Sequence, residues 1–463
     1  MTETAGHPQT ETYRSTQSQI DFRGSGRAWL NWGLGVAFVV VVFIMQSGYA
    51  ITNKSVAADL GLSLTQVGLV GSVYTWVFAI AQFGSGSMLD RLGARRCLPL
   101  AAALLTVGAV VFALATSYWM LIAGQVLMAL GGSFGFIGAG FIGGQWFDPL
   151  KYGFMFSLVQ FAASTGALVG QRSISFLIEN LGLTWPVLIG GIAVLGALVT
   201  VLMLLVLRDP PGAEENREGW QGLRSFIDSI LTAVSTVASV RAGWLNALIA
   251  GATFGSLFAM GVVWGPRLMM AAGMPDGQAY SVGSLCWLGL ATGAPCISWL
   301  SDRLGKLVKP MAVACALQLV FLGAALIWAP VSPVLASVLL FAFGFCAGGS
   351  MLPFAIAAKL VPGKLVGTSA ALVNAVQFII SGMLMALPGQ ILAGASNVVP
   401  AQNIVAEPTY GDYQVAMLVF PGALLLALIL SFFLHEPYSE ADRAHLEVEA
   451  NEIAAMIEKR KIG

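Results

Sequence analysis

The stretch GSGSMLDRLGARR, residues 84–96, sets Asp90, Arg91, Arg95 and Arg96 between two long apolar runs. On a soluble surface these charges would be ordinary. Here only 10% of 463 residues are charged and 57% are hydrophobic, whereas a soluble domain carries about 25% charged residues. Mean hydropathy is +0.80. Apolar segments recur from end to end, each long enough to cross a hydrocarbon core about 30 Å thick. Lipid offers no partner to an unpaired backbone group, so the spans must be helices. The chain reads as a polytopic α-helical membrane protein.

Working outward from this stretch, the hydropathy pattern predicts twelve spans. The first six cover 29–51, 64–88, 98–115, 118–141, 155–177 and 186–207. The second six cover 244–264, 279–300, 311–329, 334–356, 366–393 and 413–434. The quoted stretch therefore joins the second span to the third. The chain divides into an N-terminal tail (1–27), a six-helix half (28–207), a linker (208–241), a second six-helix half (242–435) and a C-terminal tail (436–463). With the N-terminus in the cytoplasm, 20 of the 23 Lys and Arg fall on that side, the exceptions being Lys54, Arg172 and Arg267. Basic residues near span ends stay on the cytoplasmic face, so both termini are expected there.

In the linker, Asp209, Pro210, Pro211 and Gly212 end the sixth span, because Pro and Gly break a helical pattern. Beyond them Trp220, Leu223, Phe226, Ile227, Ile230, Leu231, Val234 and Val237 recur at helical spacing, opposite Asp228, Ser229, Ser235 and Thr236. This pattern predicts an amphipathic helix lying on the inner leaflet. The C-terminal tail is charged, carries Leu446, Ile453 and Ile457 on one face, and reads as a solvated helix. The polar first 27 residues lack the apolar core of a cleavable signal peptide.

Basic residues are few and dispersed, which argues against nucleic-acid binding. Cys97, Cys286, Cys296, Cys315 and Cys346 make no CxxC pair, so they read as small apolar residues and not as a disulfide or metal framework. No metal or cofactor is expected.

LDRLG at 89–93 recurs as SDRLG at 301–305, placing the two Asp–Arg pairs 212 residues apart. Each lies between the second and third spans of its half. Two parallel six-helix halves related by an axis along the membrane normal describe one large transporter architecture.

The pattern Gly86-x-x-x-Asp90-Arg91-x-Gly93-x-Arg95-Arg96 resembles the signature of the major facilitator superfamily, in its usual place. The resemblance implies an all-α membrane protein, twelve transmembrane helices in two pseudo-symmetric halves, working as a transporter by alternating access. A carboxylate at a helix end can pair with a basic residue and with the positive end of a neighbouring helix dipole. Such contacts are expected to hold while the inner side is closed and to break when it opens. Gly84 and Gly86 are expected to let helices approach closely. In the second copy, Asp302 and Arg303 match, Ser298 replaces the first glycine and Lys306 follows Gly305.

The stretches WGPRLMMAAGMPDGQA, GAPCISWLSDRLGKLVKP and FAIAAKLVPGKLVGTSAALVNAVQF are similar to segments of proteobacterial members that include phagosomal amino-acid and siderophore transporters. That similarity implies a small polar organic solute and a bacterial inner membrane. The fourth span carries Gln125 where proton-coupled members often carry arginine, and the fifth reads VGQRS where antiporters often carry Gly-Pro. Both departures argue against drug–proton antiport.

An ionisable side chain inside a membrane helix is costly and marks function by default. Arg172, in the outer half of the fifth span, is the one basic residue so placed, and no Asp or Glu lies in a span interior. Its guanidinium fork suits a carboxylate; the bland alternative is snorkelling to the headgroups. Gln171 adds a neutral polar neighbour. Asn374 and Gln377 share a helix face at i, i+3 and rank next. Gln46, Tyr49, Tyr74, Gln125, Asn246, Tyr280 and Trp287 complete the substrate-binding candidates, each with interhelical hydrogen bonding or packing as its structural alternative.

No intramembrane Asp, Glu or His is present for acid–base catalysis, so no catalytic residue is expected and a membrane enzyme is disfavoured. The leading expectation is a secondary active or facilitative transporter of a small anionic or zwitterionic organic solute. The alternatives are a proton-coupled carrier of amino acids, peptides or siderophores, and a non-transporting receptor. The partners are the solute and the bilayer, and a monomer is expected.

Overall fold

The structure, a computed structural model, describes residues 23–212, 223–328, 332–395 and 408–437. Trp220, residues 396–407 and the tail bearing Leu446, Ile453 and Ile457 lie outside the described residues. Within them, twelve helices are long and apolar enough to cross a membrane. In order these are Gly26–Asn53, Gln66–Leu92, Ala94–Ala113, Tyr118–Trp146, Pro149–Gly170, Trp185–Val206, Arg241–Ala271, Gly277–Leu304, Val308–Trp328, Pro333–Lys359, Gly363–Leu392 and Tyr410–Ser431. No strand occurs among the described residues.

Hydropathy placed these spans, while local chemistry moved their ends. The fourth runs past the expected residue 141 to Trp146, through a break between helices Tyr118–Gly132 and Gly135–Trp146. The tenth, its counterpart in the second half, breaks at Gly348–Met351. The helix of the fifth span extends past the expected residue 177 to Leu181 before Gly182 caps it at φ 61°. Gly93 alone turns the chain from the second span into the third, at φ 80° and ψ 165°. A side chain would be strained there.

The packing repeats between the halves. The first span packs on the fifth and sixth, the third on the fourth and sixth, and the second on the fourth. The seventh likewise packs on the eleventh and twelfth, the ninth on the tenth and twelfth, and the eighth on the tenth. The two most extensive contacts between halves pair the second with the eleventh and the fifth with the eighth; smaller ones join the fourth to the eleventh and the fifth to the tenth. These seams hold the halves together.

Each half is also clasped at the end where its last span finishes. Asp209, just past the sixth span, accepts the Arg95 backbone N–H at 3.2 Å. Glu436, just past the twelfth, accepts the N–H groups of Leu307, Val308 and Lys309 at 2.9, 3.0 and 3.1 Å. Both acids satisfy donors that a helix start leaves unpaired.

The linker folds into the helix Leu223–Ala238. Its apolar face is shared. Ala233 and Val237 are buried, in a helix that packs on the second, seventh and eleventh spans, while Ile227 and Leu231 remain exposed.

Candidate functional site

The site lies between the halves and has two parts, a closed seam and an open cavity. At the seam, Asp90 ends the second span facing the start of the helix Val366–Ala395. Its carboxylate accepts the Gly367 N–H at 2.9 Å, the Thr368 N–H at 2.8 Å and the Thr368 hydroxyl at 2.8 Å. Helix starts present free N–H groups and a positive dipole end, so a carboxylate is the fitting counterpart. One turn back, Ser87 Oγ and Thr368 Oγ1 share a hydrogen bond of 3.1 Å.

Gly86 makes this closeness possible. A Cβ at residue 86 would overlap the Gly367 carbonyl oxygen and come within 2.6 Å of Ala371 Cβ. Gly84 does not share the role, since a Cβ there meets nothing within 4 Å. The expectation that both glycines serve close approach is corrected: residue 84 sits off the contact face. Further along, Phe78 and Phe378 meet with ring centroids 4.6 Å apart.

The other motif residues have separate places. Gly93 makes the turn, Arg95 is exposed with its backbone held by Asp209, and Arg96 is exposed. Arg91 is partly buried. In the second copy Asp302 is exposed, within electrostatic reach of Lys359, and Arg303 stacks on Trp299 at 4.0 Å from the ring centroid. The fifth–eighth seam is instead closed by a hydrogen bond between Ser157 and Ser298.

Beyond Phe378 the halves separate around a cavity of about 730 Å³. It reaches the bundle end opposite Asp90, where the first span ends near Asn53 and the second begins near Val67. Gln46, Tyr49, Tyr74 and Gln125 line it. Gln46 Nε2 donates to the Tyr74 hydroxyl at 3.2 Å, and the Tyr49 hydroxyl donates to the Val67 carbonyl at 2.8 Å. Every described lining side chain is uncharged. The wall therefore offers neutral hydrogen-bonding groups over a surface of aromatic rings and methionines.

The remaining candidates fall elsewhere. Asn246 is buried and donates to the Pro353 carbonyl at 2.8 Å; Gln377 is buried and donates to the Ser350 carbonyl at 3.2 Å. Trp287 is buried against Phe258, Asn374 is buried in the eleventh span, and Tyr280 is 60% exposed. Gln171 and Arg172 stand on the helix Tyr152–Leu181, and their side chains lie outside the described residues.

Sequence reasoning passed over Asn53, Ser72, Thr75, Trp76 and Gln390, all of which line the cavity. Asn53 follows Tyr49 at i+4, so helical spacing from a chosen tyrosine could have found it. Ser72, Thr75 and Trp76 share a face with one another at i, i+3, i+4 but stand only one or two residues from Tyr74, so spacing from that tyrosine does not point to them.

Comparison with known proteins bears on this geometry. A family model described as Major Facilitator Superfamily matches residues 35–386 of the 463. An uncharacterised MFS-type transporter of Mycobacterium tuberculosis is 27% identical over 44% of this chain and 45% of its own length. The chain thus matches a little under half the length of that relative. A Gentisate transporter of Corynebacterium glutamicum is 24% identical over 69% of this chain and 71% of its own. A Probable nitrate/nitrite transporter of Mycobacterium tuberculosis is 24% identical over 84% of this chain and 92% of its own. Among solved structures, a proton:xylose symporter aligns with TM-score 0.67 at 16% identity, covering 88% of this chain and 96% of that one.

Proposed function

Because the chain belongs to the Major Facilitator Superfamily, we propose that it carries a small organic solute across the membrane by alternating access. One observation carries this reading. A cavity of about 730 Å³ opens between the halves at one end while the Asp90 seam closes them at the other. A site reachable from one side only, with a fastening built to break on the other, is what a carrier needs and what a receptor does not.

The solute is anionic or zwitterionic in this reading. Neutral groups on the described wall can orient a solute but cannot neutralise one, and Arg172 supplies the missing charge. Relatives named for gentisate and for nitrate or nitrite carry anions, which agrees. With both termini in the cytoplasm, as the basic-residue bias implies, the cavity opens outward. The absence of acids from span interiors in the sequence favours facilitated diffusion or exchange over proton symport.

Two measurements test the proposal. Thermal denaturation against a panel of carboxylic acids, amino acids and sugars should show selective stabilisation, since a ligand of the native state raises its stability. Flux of the best ligand into liposomes containing only this protein should follow. Stabilisation without flux would favour the receptor reading; selective stabilisation by neutral sugars would refute the anionic solute.

A further inference from the structure

Below the cavity, two carboxamides stand at one level of the seam. The second and eleventh spans run antiparallel, and Phe78 meets Phe378 at 4.6 Å between centroids while Ser87 meets Thr368 at 3.1 Å. Each step toward Asp90 along one helix is matched by a step back along the other. Gln82, one turn beyond Phe78, therefore comes level with Asn374, one turn before Phe378. Gln82 is 0% exposed and Asn374 is 3% exposed. Gln82 Oε1, Gln82 Nε2 and Asn374 Nδ2 have no hydrogen-bond partner.

Native interiors leave few buried polar groups unpaired, and each such group costs about as much as a tenfold change in an equilibrium constant. Here such groups share one level of one interface. That interface is the surface along which the halves must part. Leucine at both positions would seal it better. Amides suit a surface that is dry in this state and wet in the other.

We propose that Gln82 and Asn374 form a second polar station on the solute path. It is hidden while the Asp90 seam is closed and becomes cavity wall when the seam parts. There each amide can donate to and accept from the carboxylate or hydroxyl oxygens of the solute. The inference rests on the carrier reading above, because it requires a state with the seam open.

The test uses a membrane-impermeant methanethiosulfonate on the full chain in liposomes. Gln82→Cys or Asn374→Cys should label slowly from the Asp90 side, above the background of the five native cysteines. Adding Asp90→Asn should raise that rate at least about tenfold. No rise, or labelling from the cavity side, overturns the proposal. A second measurement isolates the amides. With Ser87→Cys as reporter, the pair Gln82→Leu and Asn374→Leu should slow labelling about tenfold, because the closed seam loses its unpaired groups. An unchanged or faster rate overturns the proposal equally. Neither measurement reads flux, so the two failures are distinguishable. Flux without the expected labelling overturns the station and leaves the carrier reading intact, while expected labelling in a chain that moves no solute overturns both the carrier reading and the station's part in the solute path.

Discussion

The Asp90 carboxylate receives both the backbone N–H and the hydroxyl of Thr368, each at 2.8 Å. One side chain on the second span thus holds the first turn of the eleventh, across the boundary between the halves. Charge-assisted hydrogen bonds are about twice as strong as neutral ones. An acid at this point therefore acts as a fastening, with the Arg91 charge within electrostatic reach of it.

Asp90→Asn should lower initial flux about tenfold or more while expression and insertion stay near normal. The amide keeps the shape but turns one acceptor into a donor facing other donors. Arg95→Ala should matter much less, since that side chain is exposed. Wild-type flux from purified Asp90→Asn protein would refute the fastening.

Gly86→Val should keep the seam from closing and lower the melting temperature by several degrees, as overpacking by about 1–3 kcal/mol does. The new side chain has Ala371 Cβ and the Gly367 carbonyl in its place. Gly84→Ala is the control, with open space around it. Equal melting curves for the two variants would contradict the assigned contact face.

Arg172→Gln should abolish stabilisation by anionic ligands, and Arg172→Lys should weaken it, because an ammonium cannot reproduce the bidentate fork. The readout is the ligand-induced melting shift. If the Gln variant binds its solute with unchanged affinity, the residue is only an interfacial anchor.

Glu436→Ala should destabilise the second half by about 1–2 kcal/mol, the range for losing a helix cap. Three N–H groups at the start of the ninth span lose their acceptor. Chemical denaturation in detergent measures this; a change below a few tenths would show that water replaces the carboxylate.

Most of the fold was legible because lipid permits so little. Twelve apolar runs and the repeated Asp–Arg pair each depend on a constraint that sequence displays directly. The Asp90 contact was half legible: a helix-dipole partner was expected, but which helix would supply it was not. The cavity was less so. Gln46, Tyr49, Tyr74 and Gln125 line it, yet Asn246 and Gln377, of the same chemical type, bind backbone carbonyls elsewhere. Helical face decides between these outcomes, and facing depends on neighbours that a single span does not reveal. Phe378 and Met383 line the cavity as well, but apolar residues in a membrane span carry no mark that separates wall from core.

The two seams are fastened unequally. Three hydrogen bonds to a carboxylate close the second–eleventh seam, while the fifth–eighth seam has the Ser157–Ser298 pair and its matching acid, Asp302, is exposed. A body held by one strong and one weak clasp swings about the strong one. The doorway at this end should therefore open first beside the fifth and eighth spans, and the second–eleventh seam, with Gln82 and Asn374, should part after it. Disulfide trapping gives the direction: a Ser157→Cys, Ser298→Cys pair should lose its cross-linking sooner, under progressively milder opening conditions, than a Ser87→Cys, Thr368→Cys pair. Simultaneous loss would mean a symmetric, scissor-like motion in spite of the lopsided chemistry.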